Sequence, residues 1–306
     1  MENMLNPGQP ITLMSPLDLQ EGVASLSRGA FFKEATLDMT LSILTESAAR
    51  MSGIARVSIW ALTDAQQELR CLELFELGNG KHSHGEFFRA IDYPGYFRAL
   101  GSEGGIAADD PYLHPSTAEL AADYLPRHQI TARLDTPIHI RGELQGVLSL
   151  EQVGSRSPWT TSHRLFAQAV ANLVTLALVE YVAEEARRQA QTASERMKAV
   201  FDASRDALLL ADGESGIILD ANLQAEKLFG WERRDLVGKH QRLLHPKSSA
   251  NAIGEQFRQT VAGQMRATLN SEIQRCDGTV LPVEITAEIA NVSDGRRLAL
   301  GIFRPI

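Results

Sequence analysis

The chain has 306 residues, 44% hydrophobic and 22% charged, with a net charge of −8 and an isoelectric point near 5.5. That composition suits a soluble globular protein of two domains, and its acidic balance argues against a nucleic-acid partner, which requires a basic face. Cys71 and Cys276 fall in different halves, which excludes a secreted disulfide framework and points to a reducing, cytoplasmic compartment. The opening run MENMLNPGQPITLMSP has no basic segment followed by an apolar core, so no signal peptide is expected.

In chain order, an N-terminal extension over 1–27 precedes a helical pattern over 31–51, with Leu37, Leu41, Leu44, Ala48 and Met51 on one face. Strands are expected over 55–62 and 68–77, separated by a polar turn at 63–67. Two polar helical stretches follow, 85–100 and 116–128, interrupted by Pro94-Gly95 and Pro111. Strands over 132–140 and 144–153 flank the turn Arg141-Gly142-Glu143, and a Trp159-Thr160 corner leads into a long helix. The apolar tract 165–182 contains Gln168, Asn172, Thr175 and Glu180, the pattern of an amphipathic helix rather than a membrane span.

The run LDTPIHIRGELQGVLSLEQVGSRSPWT, residues 134–160, carries Asp135, Pro137, Gly142, Gly146, Glu151, Gly154 and Trp159 in the pattern of bacterial GAF domains. With the order helix, two strands, variable helices, two strands, helix, the segment 28–182 resembles a GAF domain. The resemblance implies a pocket between strands 68–77 and 132–152 and the helices at 86–128. Cys71, Glu73, Tyr96 and Asp135 are its candidate ligand-binding residues. Bilin-binding relatives attach chromophore to a Cys, but Arg70 and Leu72 flank Cys71 and that reading fits poorly. A GAF-type free-methionine-sulfoxide reductase needs paired thiols, and one Cys lies here. Cys71 reads best as a buried structural Cys. His82 and His84, in GNGKHSHG, read as solvated loop residues without a carboxylate partner. Asp109-Asp110 reads as a turn before Pro111.

Leu176, Val179, Ala183, Ala186, Ala190, Ala193, Met197 and Val200 alternate three and four residues apart. This is a heptad seam with charged flanks, expected to pair two parallel copies, with 183–196 as a coiled-coil linker. The alternative is a single amphipathic helix packed on its own domain. The small Ala side chains make a weak seam whose register shifts at little cost.

Residues 216–238, GIILDANLQAEKLFGWERRDLVG, read as a short strand at 216–219, a helix capped by Asn222 and stopped at Gly230, and a second short helix ending at Gly238. Asp277-Gly278 forms a hairpin turn, Pro282-Val283-Glu284 opens the next strand, and Gly301–Arg304 closes the sheet. These motifs, in this order, make 197–306 resemble a PAS domain. The resemblance implies a pocket between the sheet and the helices at 222–263, with Asn222, Phe229, Trp231, Leu244, Phe257 and Ile273 as candidate lining. Gln241 stands where photosensing relatives carry a flavin-reactive Cys, so Cys-linked flavin chemistry is not expected. His240 and His245 are expected to be surface or capping residues rather than haem ligands.

The expected fold class is α+β: two domains, each an antiparallel sheet flanked by helices, GAF-like then PAS-like, joined by a long helix. Catalytic and metal-binding residues are not expected, because no Ser-His-Asp set, Walker loop, HExxH or CxxC pair appears. No cofactor is assigned: nothing points to haem, bilin or Cys-linked flavin. The resemblance implies a cytosolic bacterial sensor, homodimeric, taking a small-molecule ligand or relaying a signal to a histidine-kinase or GGDEF/EAL effector. The effector is not expected in this chain, and two-component signalling, cyclic-di-GMP signalling or transcriptional regulation would lie downstream. The alternatives are a ligand-free dimerisation protein and, less favoured, the sulfoxide reductase.

Overall fold

A computed structural model describes residues 35–63, 67–102, 104–154, 157–263 and 268–306, together with Ala24. The extension expected over 1–27 lies outside these apart from Ala24, as do 31–34 of the first helix and 64–66 of the first turn. The chain divides into two compact units between Ala186 and Arg187. Each has an antiparallel sheet with flanking helices, and one helix runs from the first into the second.

In the N-terminal unit, α1 (Leu37–Ser52) starts where the Thr36 hydroxyl accepts from Met39 N, and stops at Gly53, whose φ of 68° suits glycine. Strands β1 (Arg56–Thr63), β2 (Glu68–Glu76), β3 (Lys81–Ser83), β4 (Phe87–Arg89), β5 (Ile106–Ala108), β6 (Ile130–Ile140) and β7 (Glu143–Val153) build a sheet of order β3-β2-β1-β7-β6-β5, with β4 also on β2. The β6–β7 turn places Arg141 and Gly142 at φ of 54° and 84°, the hairpin geometry that matches strand twist. Val57, Ile59, Leu134, Leu148 and Leu150 face α1 and the start of α4 (Thr161–Ala203), forming one core. On the opposite face Trp60, Cys71, Phe88, Tyr96, Tyr124 and Val147 form a second core beneath α2 (Pro94–Ser102) and α3 (Tyr124–Arg127).

Two expectations are corrected here. The stretch 85–100 is not one helix. Phe87–Arg89 is a strand whose Phe88 is buried and stacks on Trp60 at 4.7 Å, and Pro94 opens α2 instead of breaking a helix, the first-turn position where its missing N–H is harmless. The stretch 116–128 is a 3₁₀ turn, Ala118–Ala122, followed by the single turn α3.

The C-terminal unit contains β8 (Ala207–Asp212), β9 (Ile218–Ala221), α5 (Leu223–Phe229), α6 (Arg233–Leu236), a 3₁₀ turn (Gln241–Leu244), α7 (Ala250–Val261), β10 (Thr268–Gln274), β11 (Val280–Asn291) and β12 (Arg297–Pro305). Its sheet has the order β10-β11-β12-β8-β9. Asn222 Oδ1 accepts from Ala225 N at 2.8 Å and caps α5. Gly230 ends α5 at φ 73°, and Gly278 carries the β10–β11 turn at φ 85°. Strand β9 begins two residues later than 216, because Gly216 at φ 69° and Asp212, accepting from Ser215 N, hold the preceding turn. Phe229 and Phe303, with rings 5.1 Å apart edge to face, anchor a core with Ile218, Leu236, Leu244, Ile273 and Val283.

Candidate functional site

Strand register decides what fills the N-terminal unit. Glu76, Arg56, Glu151 and Arg133 stand opposite one another across β2, β1, β7 and β6, a row of alternating charge on one sheet face. Two residues along, Asp135 pairs with Ser149. Arg133 is fully buried. Its Nε donates to Asp135 Oδ2 at 2.7 Å, its Nη1 to Glu151, and its Nη2 to Tyr96 Oη and Ser149 Oγ, both at 3.0 Å. Tyr96 and Ser149 donate in turn to Asp135, Tyr124 donates to Glu151 at 2.9 Å, and Arg56 Nε donates to the other Glu151 oxygen at 2.9 Å. The rings of Phe88, Tyr96 and Tyr124 lie within 6.0 Å of the Arg133 guanidinium. Burial alone disfavours the Arg133 cation, but Asp135, Tyr96 and Glu151 outweigh it and hold the pKa well above the ordinary value.

The four candidates of this unit are therefore parts of a packed interior. Tyr96 and Asp135 belong to the charge network. Cys71 is buried, and burial, followed by Glu86, Glu151 and Glu73, pushes its thiol up to about 12, so it stays protonated and unreactive. Glu73 lies 2.5 Å from His82 Nδ1. His82 is exposed, as expected, but it lies on a strand and has a carboxylate partner, which corrects the loop reading: β3 pairs with β2 and sets the imidazole beside Glu73 and the Phe75 ring. Asp109 Oδ1 accepts from Trp159 N at 2.7 Å, fixing the corner before α4. Among the described residues, no group of three or more His, Cys, Asp or Glu side chains is placed to hold a metal ion.

The C-terminal unit is built differently. A cavity of about 80 Å³ separates its sheet from the segment running through the 3₁₀ turn and α7. The sheet wall is apolar, made by Leu209, Leu269, Ile285, Ala299 and Phe303. The helical wall brings Gln241, His245, Gln256, Phe257 and Thr260. Of the six candidates, Phe257 lines this cavity. Phe229, Leu244 and Ile273 are fully buried in the adjoining core and Trp231 packs on it. Asn222 is committed to the backbone: besides capping α5, its Nδ2 donates to Phe201 O and Asp206 O.

His240 caps the 3₁₀ turn, its Nδ1 accepting from Arg242 N at 3.1 Å. His245 departs from the surface or capping role expected for it. It is buried on the cavity wall, its Nδ1 donates to Glu272 O at 3.0 Å, and burial lowers its pKa, so the ring is neutral. Gln241, His245, Gln256 and Thr260 are the polar lining, and none of them is among the six lining candidates.

On α4, His163, Phe166, Val170, Val174 and Ala177 are buried against the N-terminal core. The helix is long and apolar enough, by length and composition, to cross a bilayer, and 39% of its apolar stretch is buried inside the fold. The eight seam residues are all exposed in the single chain, Val179 at 42% and Met197 at 72%. The same spacing continues backward through Asn172 and Ala169 to Leu165, itself 67% exposed.

Residues 36–178 match the GAF domain family, and residues 195–306 match the PAS fold family. An uncharacterized protein of Azorhizobium caulinodans is 27% identical over 192 residues, covering 60% of this chain and 25% of that protein. The chain thus spans about a quarter of that relative's length. Among solved structures, the GAF domain of a phosphoenolpyruvate-protein phosphotransferase from Coxiella burnetii is 16% identical, with a TM-score of 0.45, covering 56% of this chain and 99% of that one. The PAS domain of a protein from Colwellia psychrerythraea is 27% identical, with a TM-score of 0.34, covering 38% of this chain and 97% of that one. The chain is a GAF domain followed by a PAS domain, two sensory folds in tandem.

Proposed function

We propose that the chain is a cytoplasmic, homodimeric signal-sensing module in which the PAS cavity takes a small molecule and α4 carries the response. The observation that supports this reading is the cavity itself. It is an apolar-walled space with a few polar side chains, the usual makeup of a small-molecule site. The seam 176–200 is assigned to pairing with a second copy, because its apolar residues are exposed on a helix whose packing against the fold ends at Ala177. The effector is a histidine kinase or a GGDEF/EAL domain, through which the module serves two-component or cyclic-di-GMP signalling or transcription. Domain limits of 28–182 and 197–306, with 183–196 as linker, go with this proposal.

For the GAF domain a second reading is favoured by a specific observation. The space beneath α2 and α3 is occupied by the buried Arg133 network, so Cys71, Glu73, Tyr96 and Asp135 are assigned to structure and the domain to ligand-free interaction.

Light scattering tests the assembly. Wild type is expected to be a dimer at micromolar concentration. Replacing Val179 and Met197 together with Glu puts like charges face to face in the seam and is expected to give a folded monomer. A wild type that is already monomeric would defeat the proposal.

A further inference from the structure

Four side-chain polar atoms among the described residues are buried without a hydrogen-bond partner, and two of them, Gln241 Nε2 and Gln256 Oε1, belong to residues lining the PAS cavity. They come from separate elements, the 3₁₀ turn and α7. A buried donor or acceptor left unpaired destabilises a fold, so such groups ask for an explanation. The neighbouring polar side chains do not supply one. The Thr260 hydroxyl is committed to Gln256 O at 2.9 Å. His245 spends Nδ1 on Glu272 O, which leaves Nε2 as an acceptor of the neutral ring.

The rest of the lining sets the charge. None of the cavity-lining residues is Asp, Glu, Lys or Arg, and the sheet wall offers only apolar side chains. An ionised ligand would sit there unpaired, which is strongly unfavourable in apolar surroundings. A purely hydrocarbon ligand would leave both glutamine atoms unsatisfied.

We infer that the PAS cavity selects a neutral ligand with an apolar body and one polar edge bearing both an acceptor and a donor, of which an amide, lactam or ureide is the simplest class. The acceptor meets Gln241 Nε2, the donor meets Gln256 Oε1, and the apolar body lies on the sheet. This rests on the reading of the cavity as a small-molecule site.

The test uses the full chain with three probes of one ring each: benzamide, benzoate and toluene. Binding is followed by NMR, with the side-chain NH₂ signals of Gln241 and Gln256 assigned from their loss in Gln241→Leu and Gln256→Leu. Benzamide is expected to shift both signals saturably and to bind about tenfold more tightly than benzoate or toluene. In the double variant its advantage over toluene is expected to fall to about twofold or less. Retained toluene binding reports an intact cavity. Gln256→Leu is also expected to raise the melting temperature of the free protein, because it removes an unpaired buried atom. Benzoate binding as tightly as benzamide, equal binding of toluene and benzamide to wild type, or a lower melting temperature for Gln256→Leu would each overturn the inference and leave the cavity reading standing. Failure of all three probes to bind either protein would overturn the cavity reading itself.

Discussion

The two domains solve the same architectural problem in opposite ways. Both place a layer of helix and irregular chain over one face of an antiparallel sheet. In the GAF domain the layer beneath α2 and α3 is filled by Arg133, held by Asp135 and Glu151 and walled by three aromatic rings, while Arg56 Nη2 has no partner and borders a separate cavity with Glu76, Arg127 and His128. In the PAS domain the corresponding layer is left open, and two amide atoms go without partners. A fold associated with sensing therefore does not fix whether there is room for a ligand. Side-chain chemistry at a few inward positions does.

The sharpest way to break this comparison is to empty the filled domain. Arg133→Ala leaves Asp135 and Glu151 as buried carboxylates without their common cation, which should cost about 3–5 kcal/mol. Calorimetry should show the GAF transition lost or displaced far downward. A change below about 1 kcal/mol would mean that water already reaches the network.

A chemical probe asks the same of the closed interior. With its thiol pushed up to about 12 by burial and nearby carboxylates, Cys71 should resist iodoacetamide near pH 8, while the exposed Cys276 reacts. Mass spectrometry should find one adduct on the native protein and two after denaturation. Equal labelling of Cys71 under native conditions would show that the GAF interior opens.

The smallest expected effect sharpens the PAS side. Burial holds the folded pKa of His245 below its ordinary value of 6.5, so the unfolded chain takes up the proton first as pH falls. The stability this site contributes is fully present above the unfolded value and is lost as pH falls through 6.5 towards the depressed folded value. His245→Asn keeps a donor for Glu272 O and removes the titration. Thermal melts at about pH 7.5 and about pH 5.5 should show a smaller acid loss in the variant than in wild type. His163 and His240 are lowered by burial too, so the difference between the two proteins, not the slope of either, is the readout.

What was legible in the sequence was local. Asn222 as a cap, Gly230 as a stop, Asp277-Gly278 as a turn and the Leu41–Leu44–Ala48 stripe each depend on residues a few positions apart, and each appears as expected. The charge row was not legible, because Arg56 and Glu151 lie 95 residues apart and meet only once strand register is set. The short strand Phe87–Arg89 was hidden for a related reason: its partner on β2, not its own composition, makes it a strand. In the PAS domain the large apolar residues Phe229, Leu244 and Ile273 fill the core. The cavity is bordered by polar residues of the 3₁₀ turn and α7, whose inward face only tertiary packing defines.

Helix α4 runs unbroken for 43 residues, through the point where the two units divide. A continuous helix converts length into angle, since each residue advances it by about 100°. One residue inserted near 187 would swing every later side chain round the axis, and the apolar stripe would lose its line. Seven residues would restore it, because the stripe repeats with that period. The linker thus obeys a grammar of length rather than of composition. It can grow or shrink in whole heptads while its individual residues drift, and a shift of any other size changes which side of the rod speaks to its neighbour.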